Sequence, residues 1–295
     1  MITQRDRNYV LRVGEPGKQA LVITGLNISF KVKKSSDNKR NGNQASVIIY
    51  NLSKANRDII EDNKVFVSLE VGYTDTGLHE VFSGQVTWVE SKRQKNDIIT
   101  TLTLDSLYSA INNRLIGGLL APGADLRTTL KRVASQIPEV VQTKFVGDSL
   151  KRQLPDGYPY GGTPRQVLTD ICDAYGLEWQ IDGDTLYITD IGYSTMTNSQ
   201  AFVLNEMSGL IDAPRIDEVE KPKVHRHKDD TSPRPRGKRG LSIKCLLNPV
   251  LKAGGLVKLE FGDMSGYYKI LELSHNGEVY GNSWETELSC IAAKE

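Results

Sequence analysis

The chain has 295 residues, enough for two or three domains that each bury a hydrophobic core. Hydrophobic residues make up 39% and charged residues 25% of it, proportions that argue against disorder or a fibre. No apolar run approaches the roughly 20 residues of a membrane-spanning helix, and the N-terminus MITQRDRNYV is charged where a signal peptide would be apolar. We therefore expect synthesis and folding in a cytoplasm, without stable membrane insertion.

The formal net charge of +1 conceals an uneven distribution. The segment 221–240 carries a net charge of +6, and the rest of the chain carries −5. Its eight basic residues are Lys221, Lys223, Arg226, Lys228, Arg234, Arg236, Lys238 and Arg239. The three cysteines, Cys172, Cys245 and Cys290, stand far apart at apolar positions, so we expect buried thiols.

Alternating apolar residues predict a β-rich region from Tyr9 to Leu107. Its one predicted helix follows Ser53, a suitable N-cap, and should turn Ile59 and Ile60 inward. The stretch KKSSDNKRNGN has no apolar residue, so it is expected to form a solvated hairpin loop.

The apolar period changes from Asp125 onward. The spacing of Leu126, Leu130, Val133 and Ile137 predicts an amphipathic helix that Pro138 stops. A second helix is predicted from Thr163, with Pro164 first, a capping box to Gln166 and an end at Gly176; its apolar stripe is Val167, Leu168, Ile171, Cys172 and Tyr175. The runs LEWQI and TLYIT, on either side of Asp182-Gly183, predict a hairpin.

Strand-like alternation returns after Gln200, with tight turns predicted at Gly254-Gly255 and Asn276-Gly277. The stretches 43–84 and 241–277 show the same barrel-like succession of predicted strands, which indicates a duplicated scaffold. The predicted fold is mainly β with a small α+β insert: a first β-domain over 1–115, the insert over 116–192, and a second β-domain over 193–295 that carries the basic loop 221–240.

Sequence signals for chemistry are weak. Carboxylates cluster at Asp182 with Asp184 and at Asp217 with Glu218 and Glu220, a pattern that a glycosidase pair would also show. Asp182 and Asp184 flank a turn glycine, which favours a structural role over a catalytic pair. His225 and His227 lie among cations that would repel a metal ion. We find no nucleophile elbow, zinc-protease motif or phosphate-binding loop, and we predict no enzyme activity, cofactor or metal.

The basic residues of 221–240 have two interpretations. They are either a solvated loop or an arm that contacts an acidic neighbour or nucleic acid. The segment lacks aromatic residues, so it has no platform for stacking single-stranded bases.

Several stretches together resemble the baseplate or tail-tip hub proteins of long-tailed bacteriophages. They are VIIYNLSKANRDII, LEVGY, FSGQV and the terminal run from CLLNPVLKAGGLVKLEF to SWETELSC. The resemblance covers most of the chain. It implies a homotrimer in which each chain supplies two tail-tube-like β-barrel domains, located in the tail baseplate or tip of the virion.

The resemblance also implies the partners: tail-tube or tube-initiator proteins on one face of the ring, a central spike or tip protein on the other, and DNA passing through the channel at genome ejection. Six similar domains from three chains would match a sixfold tube, and unpaired strand edges would join one domain to the next. We expect the acidic body, not the basic segment, to face the channel.

Two alternatives to a structural adaptor stay open. The α+β insert has the size of a module that binds or degrades peptidoglycan, an argument from fold analogy alone. The basic segment alternatively makes the chain a DNA-contacting ejection protein.

Overall fold

The computed structural model describes residues 6–15, 18–38, 42–61, 65–106, 111–154, 156–157, 159–196, 200–218 and 239–294, and it leaves the side chains of Glu218 and Arg239 undescribed. Strands dominate these residues, and the predicted mainly-β fold with an α+β insert is confirmed. Hydrophobic residues form three separate core clusters, one in each β-rich region and one in the insert between them.

Within its described residues, the first β-rich region contains seven strands and one short helix: β1 (Arg7–Gly14), β2 (Leu21–Ile23), β3 (Ile28–Ser35), β4 (Gln44–Tyr50), α1 (Lys54–Ile60), β5 (Phe66–Tyr73), β6 (Gly77–Gln94) and β7 (Asp97–Asp105). Ser53 caps α1 as predicted by accepting from the backbone N–H of Asn56. Ile60 is buried, but the prediction that Ile59 turns inward is wrong, because its side chain is 48% exposed.

The insert consists of β8 (Ile116–Leu119), α2 (Leu126–Ala134), β9 (Gln142–Val146), β10 (Pro159–Gly162), α3 (Pro164–Tyr175), β11 (Leu177–Asp182) and β12 (Thr185–Asp190). Both predicted helices and the β11–β12 hairpin are present, and α3 has the predicted capping box and a left-handed Gly176. Helix α2 ends at Ala134, four residues before Pro138. Strands β8, β9 and β10 were not foreseen; β9 pairs in parallel with β12.

The last region contains β13 (Phe202–Leu204), β14 (Arg215–Glu218), β15 (Arg239–Leu246), β16 (Leu256–Leu259), β17 (Gly266–Glu278) and β18 (Trp284–Ala292). Gly254 lies in a turn with a positive φ, as predicted. The turn predicted at Asn276-Gly277 is wrong, because both residues lie inside β17. Gly277 serves packing instead: a Cβ there would come within 2.2 Å of Cζ of Phe30.

The two β-rich regions repeat one strand order. The first unit, as we call it, runs β3-β4-β7-β6-β5-β1, and the second unit runs β14-β15-β18-β17-β16-β13. Every step in the first unit is antiparallel, including the last one from β5 to β1. The second unit differs only in its last step, because β13 pairs in parallel with β16. The described pairings close neither unit into a complete ring, although Tyr9 Oη donates to the carbonyl of Leu26, 2.8 Å away, across the gap in the first unit.

The two units also share local irregularities. One residue bulges out of β6 between Val86 and Trp88, and one bulges out of β17 between Ile270 and Glu272. Counted from these bulges, Ser91 corresponds to His275. Each of these two side chains then makes the same cross-strand contact, with Thr100 (3.1 Å) and Thr286 (2.9 Å) respectively. A repeat at this level of detail indicates a duplicated scaffold and not two unrelated β-domains.

The insert docks on this scaffold through the edge strand of its sheet, β11. The predicted hairpin between β3 and β4 is present. The prediction that its loop is solvated is wrong for Ser36, Asn38 and Asn43, which are buried and form part of the dock. Asn38 is buried; its backbone N–H donates to the carbonyl of Trp179, and its Oδ1 accepts from the N–H of Ile181, both at 2.8 Å. Polar loop residues are buried here because they satisfy an otherwise open strand edge.

Alternate side chains of β11 also bond the scaffold. Glu178 pairs with the fully buried Lys269 at 2.5 Å, and Gln180 donates to the carbonyl of Ala253 at 3.0 Å. Asp182 pairs with Lys34 at 3.0 Å and with Lys252 at 3.4 Å. The insert is therefore held by ion pairs and amide hydrogen bonds. These directional contacts specify its orientation more narrowly than an apolar contact surface would.

We predict that Lys269→Met destabilises the protein by about 3–5 kcal/mol, because it leaves the Glu178 carboxylate buried without its partner. The double variant Lys269→Met with Glu178→Leu should recover most of that loss. Urea unfolding of the two variants measures both effects. The matched control is Lys258→Ala, whose partner Glu260 is solvent-accessible; it should leave the free energy of unfolding almost unchanged. Equal losses for Lys269→Met and Lys258→Ala would contradict the prediction.

Candidate assembly site

The junction between the two units is a continuous strand pairing, which we call the seam. Residues 272–278 of β17 pair antiparallel with residues 29–35 of β3, while the other edge of β17 stays paired with β18. The sheet thereby continues from the second unit into the first without a break and includes 13 strands. Backbone hydrogen bonds, not only side-chain packing, hold the two units together.

Aromatic packing covers one end of the seam. Trp284 meets Phe30 edge-on at a centroid distance of 5.5 Å and Tyr73 at 6.4 Å. The guanidinium of Arg7 lies 5.6 Å from the Trp284 ring and donates to the carbonyls of Glu278 and Gly281. Arg7 therefore ties the first unit to the turn between β17 and β18.

The two units leave complementary edges open. Beyond Gln85, the edge of β6 that faces away from β7, which we call its outer edge, has no strand partner among the described residues. The corresponding edge of β17, which faces away from β18, is the one that pairs with β3. Likewise β14, which corresponds to β3, has a described partner only on the β15 side. Within the described part of the chain, each unit thus keeps one edge of the kind that the seam uses.

Exposed apolar side chains lie on or near these open edges. Trp88 on β6 is 49% exposed and Ile216 on β14 is 59% exposed. Met207 and Ile211 are also exposed, and the backbone N–H of Ile211 bonds β15 next to β14. Apolar residues beside unpaired strand edges are a feature of protein contact surfaces.

One face of the continuous sheet is polar and carries balanced charge. It consists of Lys31, Lys33, Gln44, Ser46, Ser242, Lys244, Glu272, Ser274, Asn276, Glu285, Glu287 and Ser289. Three of these are lysines and three are glutamates, and Lys244 pairs with Glu285 at 2.8 Å. We call this surface the polar face. The alternate residues of the same strands, such as Val32, Leu273 and Leu288, belong to the cores.

Most of the basic residues that the sequence singled out cannot be placed. Lys221, Lys223, Arg226, Lys228, Arg234, Arg236 and Lys238 lie outside the described residues, as do His225 and His227, and Arg239 begins β15 with an undescribed side chain. The segment links β14 to β15, which are antiparallel neighbours. In chain order it therefore corresponds to the connection between β3 and β4 of the first unit.

Two of the carboxylates that we considered as catalytic candidates have structural partners. Asp184 accepts from the hydroxyl of Thr185 at 3.0 Å. Burial alone would raise the pKa of Asp182, but Lys34 and Lys252 hold it below the usual value, so the group stays an ion-pair partner. Asp217 lies in β14, the side chain of Glu218 is undescribed, and Glu220 lies outside the described residues. Searching the described residues reveals no group of three or more potential metal ligands.

The three cysteines are reduced thiols and are buried, as predicted. Burial raises the pKa of Cys245 to about 12, which keeps this thiol protonated and unreactive. In the described part of the chain, no helix combines the length and the apolar character needed to cross a bilayer.

Sequence patterns gave no signal for the seam or its aromatic end. Arg7, Tyr73 and Trp284 stand far apart in the chain, and only the long-range pairing of β17 with β3 brings them together. One clue was available: Asn276-Gly277 sits in a run with strand-like alternation on both sides, which also fits a glycine inside a strand.

Several solved structures share this fold at low sequence identity. A tail protein from Neisseria meningitidis MC58 matches with a TM-score of 0.65 and 13% identity over 96% of each chain. The 43 kDa tail protein of prophage MuSo2 from Shewanella oneidensis matches with a TM-score of 0.63 and 11% identity over 97% of each chain. The E. coli c3393 protein, a type VI secretion component, matches with a TM-score of 0.62 and 10% identity over 96% of this chain and 77% of its own.

The fold is therefore that of phage tail proteins and their secretion-system counterparts. The family model described as baseplate hub gp41 matches residues 9–220, and the chain belongs to that family. It is a structural protein of the tail baseplate, as the sequence resemblance indicated. No curated protein sequence matches the chain.

Buried His275 makes the stability of the seam dependent on pH. Burial, assisted by the charge of Lys34, lowers its pKa to about 3 from the ordinary 6.5. Below about pH 6.5, His275 binds a proton in the unfolded chain but stays neutral in the folded protein. The free energy of unfolding is therefore unaffected by this group above that pH, and it falls as the pH drops toward 3.

We predict that wild type loses about 1.4 kcal/mol per pH unit more than His275→Ser between pH 6 and pH 4. Serine is the matched replacement because Ser91 makes the same contact with threonine in the first unit. Urea unfolding at several pH values measures the slope of the free energy of unfolding against pH. Subtracting the slope of the variant from that of wild type removes the contribution of the other titratable groups. Parallel slopes would show that His275 is not buried in its neutral form.

Proposed function

We propose that this baseplate protein is a homotrimeric symmetry adaptor that joins a sixfold tail tube to a threefold spike or tip. The observation that carries the proposal is the repeated strand order, which gives each chain two similar units. Three chains then offer six similar surfaces to a hexameric tube, while the ring as a whole keeps threefold symmetry. The role requires no reaction, and we infer that the protein is not an enzyme.

The seam supplies the rule for assembly. Inside the chain, the outer edge of β17 pairs with β3. We propose that the outer edge of β6 pairs in the same way with β14 of the next copy. Such a contact joins two different surfaces of the chain. Three copies would close into a ring in which the β17–β3 junction within each chain alternates with the β6–β14 junction between copies.

The correspondence between units also sets the expected register. His275 lies opposite Val32 within the chain. Ser91 corresponds to His275, and Ile216 corresponds to Val32 because both sit at the same step of the pairing with β15 or β4. We therefore expect Ser91 of one copy to lie opposite Ile216 of the next.

The polar face is the surface that we assign to the DNA channel. In a ring joined through its sheets, the core side of each unit is already covered by its own residues, which leaves the polar face for the interior. Its lysines and glutamates balance, and its remaining residues are small or uncharged and polar. A wall without net positive charge would not retain DNA during genome ejection.

Two of the structural relatives support a partner on the spike side. The c3393 protein is described as similar to the T4 tail proteins gp27 and gp5, and the structures from Francisella are complexes of PdpA with VgrG. By analogy we place tube or tube-initiator proteins on one face of this ring and a spike or tip protein on the other. The segment 221–240 connects β14 and β15 along the chain, and we propose an acidic neighbour as the partner of its basic residues.

The three core clusters support a division into three domains, which we propose at 1–115, 116–192 and 193–295. The division is not strict. Leu247 and Trp284 of the last region pack in the core of the first unit, so the two β-domains would not separate cleanly.

Paired cysteines test the proposed contact between copies. In the variant Ser91→Cys with Ile216→Cys, oxidation should link neighbouring chains into dimers and closed trimers on a non-reducing gel, because opposed cysteines in antiparallel strands lie within bonding distance. The native cysteines are buried and should not react.

Each single variant serves as one control. A second control is Ser68→Cys with Ile216→Cys, because Ser68 lies on β5, where both edges are already paired. The analysis should use the assembled particle or the protein at high concentration, with mass measurement of the uncrosslinked sample. Monomers only, or equal crosslinking in the Ser68 control, would overturn the proposed contact.

A further inference from the structure

A groove of about 670 Å³ lies in the first unit beside the start of β5, between helix α1 and the β1–β2 hairpin. We call it the α1 groove. Its lining is largely apolar, and two of the lining side chains stay accessible: Val22 is 55% exposed and Ile59 is 48% exposed. Exposed apolar groups gathered in one groove are a feature of surfaces that bind another chain.

The α1 groove has a counterpart in the second unit. In the first unit, the backbone N–H of Val86 donates to the carbonyl of Val65, just before β5, at 3.0 Å. In the second unit, the N–H of Ile270, which corresponds to Val86, donates to the carbonyl of Gly255, just before β16, at 2.9 Å. Val65, which lines the α1 groove, therefore corresponds to Gly255.

The insert covers that counterpart. Gln180 donates to the carbonyl of Ala253, and the N–H of Thr195 donates to the carbonyl of Gly254, both at 3.0 Å. The insert and the chain that leaves it thus pack on the stretch before β16. The corresponding stretch before β5 opens into the α1 groove instead. One insert serves two similar places, so the groove calls for a different occupant.

The proposed junction between copies brings one segment to the groove. At the seam, the N–H of Ser36, the first residue after β3, donates to the carbonyl of Leu271 at 2.7 Å. In the register proposed above, position 220 of one copy corresponds to Ser36. Thr87 of the next copy corresponds to Leu271, because these are the two bulged residues. Thr87 adjoins the bond that ties β6 to the groove, so the segment 219–238 would begin beside it.

The length and the charge of this segment suit the α1 groove. Its ends join paired residues of β14 and β15, so it can extend roughly 30 Å from the sheet and return. The residues 221–240 carry a net charge of +6. The groove is lined by Glu15 and Asp58, and the one basic residue of its described lining, Lys18, is paired with Glu15 at 2.8 Å. Complementary charge orients and favours a contact.

We propose that residues 219–238 of one copy dock in the α1 groove of the next copy, with basic side chains beside Glu15 and Asp58 and prolines on Val22 and Ile59. The docking rests on the proposed β6–β14 junction. A ring would then lock its junctions in two ways: the insert holds the seam within each chain, and the basic segment holds each junction between copies. The acidic neighbour of the segment is thus a second copy of this chain.

Photo-crosslinking from the groove tests the docking. The full chain carries benzoylphenylalanine in place of Ile59 and is irradiated in the assembled particle or at high concentration, as a mixture of heavy-isotope-labelled and unlabelled chains. Mass spectrometry should find crosslinks from position 59 to peptides of 219–238 in heavy–light pairs, which only different copies can form. The matched control places the same residue at Val141, which is 73% exposed on the insert, and should give no such crosslink.

Removing the segment gives an independent readout. Because Glu218 lies opposite Arg239, Asn-Gly in place of 219–238 should close β14 and β15 with a two-residue turn. This variant should keep the wild-type Tm as a monomer, but its rings should dissociate at about 10-fold higher protein concentration. Asp58→Lys should weaken the ring in the same direction. Asp170→Lys, at an exposed site on the insert, is the matched control and should leave the ring unchanged.

Crosslinks to other peptides, crosslinks only within one chain, or unchanged dissociation of the Asn-Gly variant would overturn the docking. The cysteine pair at Ser91 and Ile216 separates the two proposals. If that pair links neighbouring copies but position 59 does not reach 219–238, the junction is right and the docking is wrong. If neither crosslink forms, the junction between copies is wrong and the docking falls with it.

Discussion

The pairing of β17 with β3 is the constraint on which the rest of the structure depends. It converts two similar units into one sheet, and it fixes their relative orientation through backbone hydrogen bonds that tolerate no slip of register. Because side chains alternate across a strand, one residue of slip would turn buried Val32 toward solvent and place Lys31 or Lys33 in the core. The polar face and the aromatic end of the seam both follow from this one register.

The docking of the insert has a different physical basis. Its own core is apolar and closed, and its contact with the scaffold is made by Glu178, Gln180 and Asp182 along one face of β11. Buried ion pairs add little net stability but penalise every misplaced arrangement strongly. These polar contacts consequently fix the orientation of the insert on the scaffold.

Local signals in the sequence predicted the local structure well. The caps at Ser53 and Thr163, the stripe of α3 and the β11–β12 hairpin depend on neighbouring residues and were all correct. Failures arose where distant residues decide the outcome. Asn38 looked solvated because its partners, Trp179 and Ile181, lie roughly 140 residues away, and Gly277 looked like a turn because the ring that covers it belongs to β3. The repeated scaffold was visible as similar strand runs, whereas the seam that joins the copies was not.

The distance along the chain between the two strands of the seam has a consequence for biosynthesis. β3 emerges early from the ribosome, but β17 follows roughly 240 residues later. The edge of β3 that pairs with β17 therefore stays unpaired until translation is almost complete. On a polysome carrying many nascent copies, that edge is the part of the molecule most apt to capture a β17 strand from a neighbour. Exchange of β17 between copies is therefore the misassembly that this topology permits.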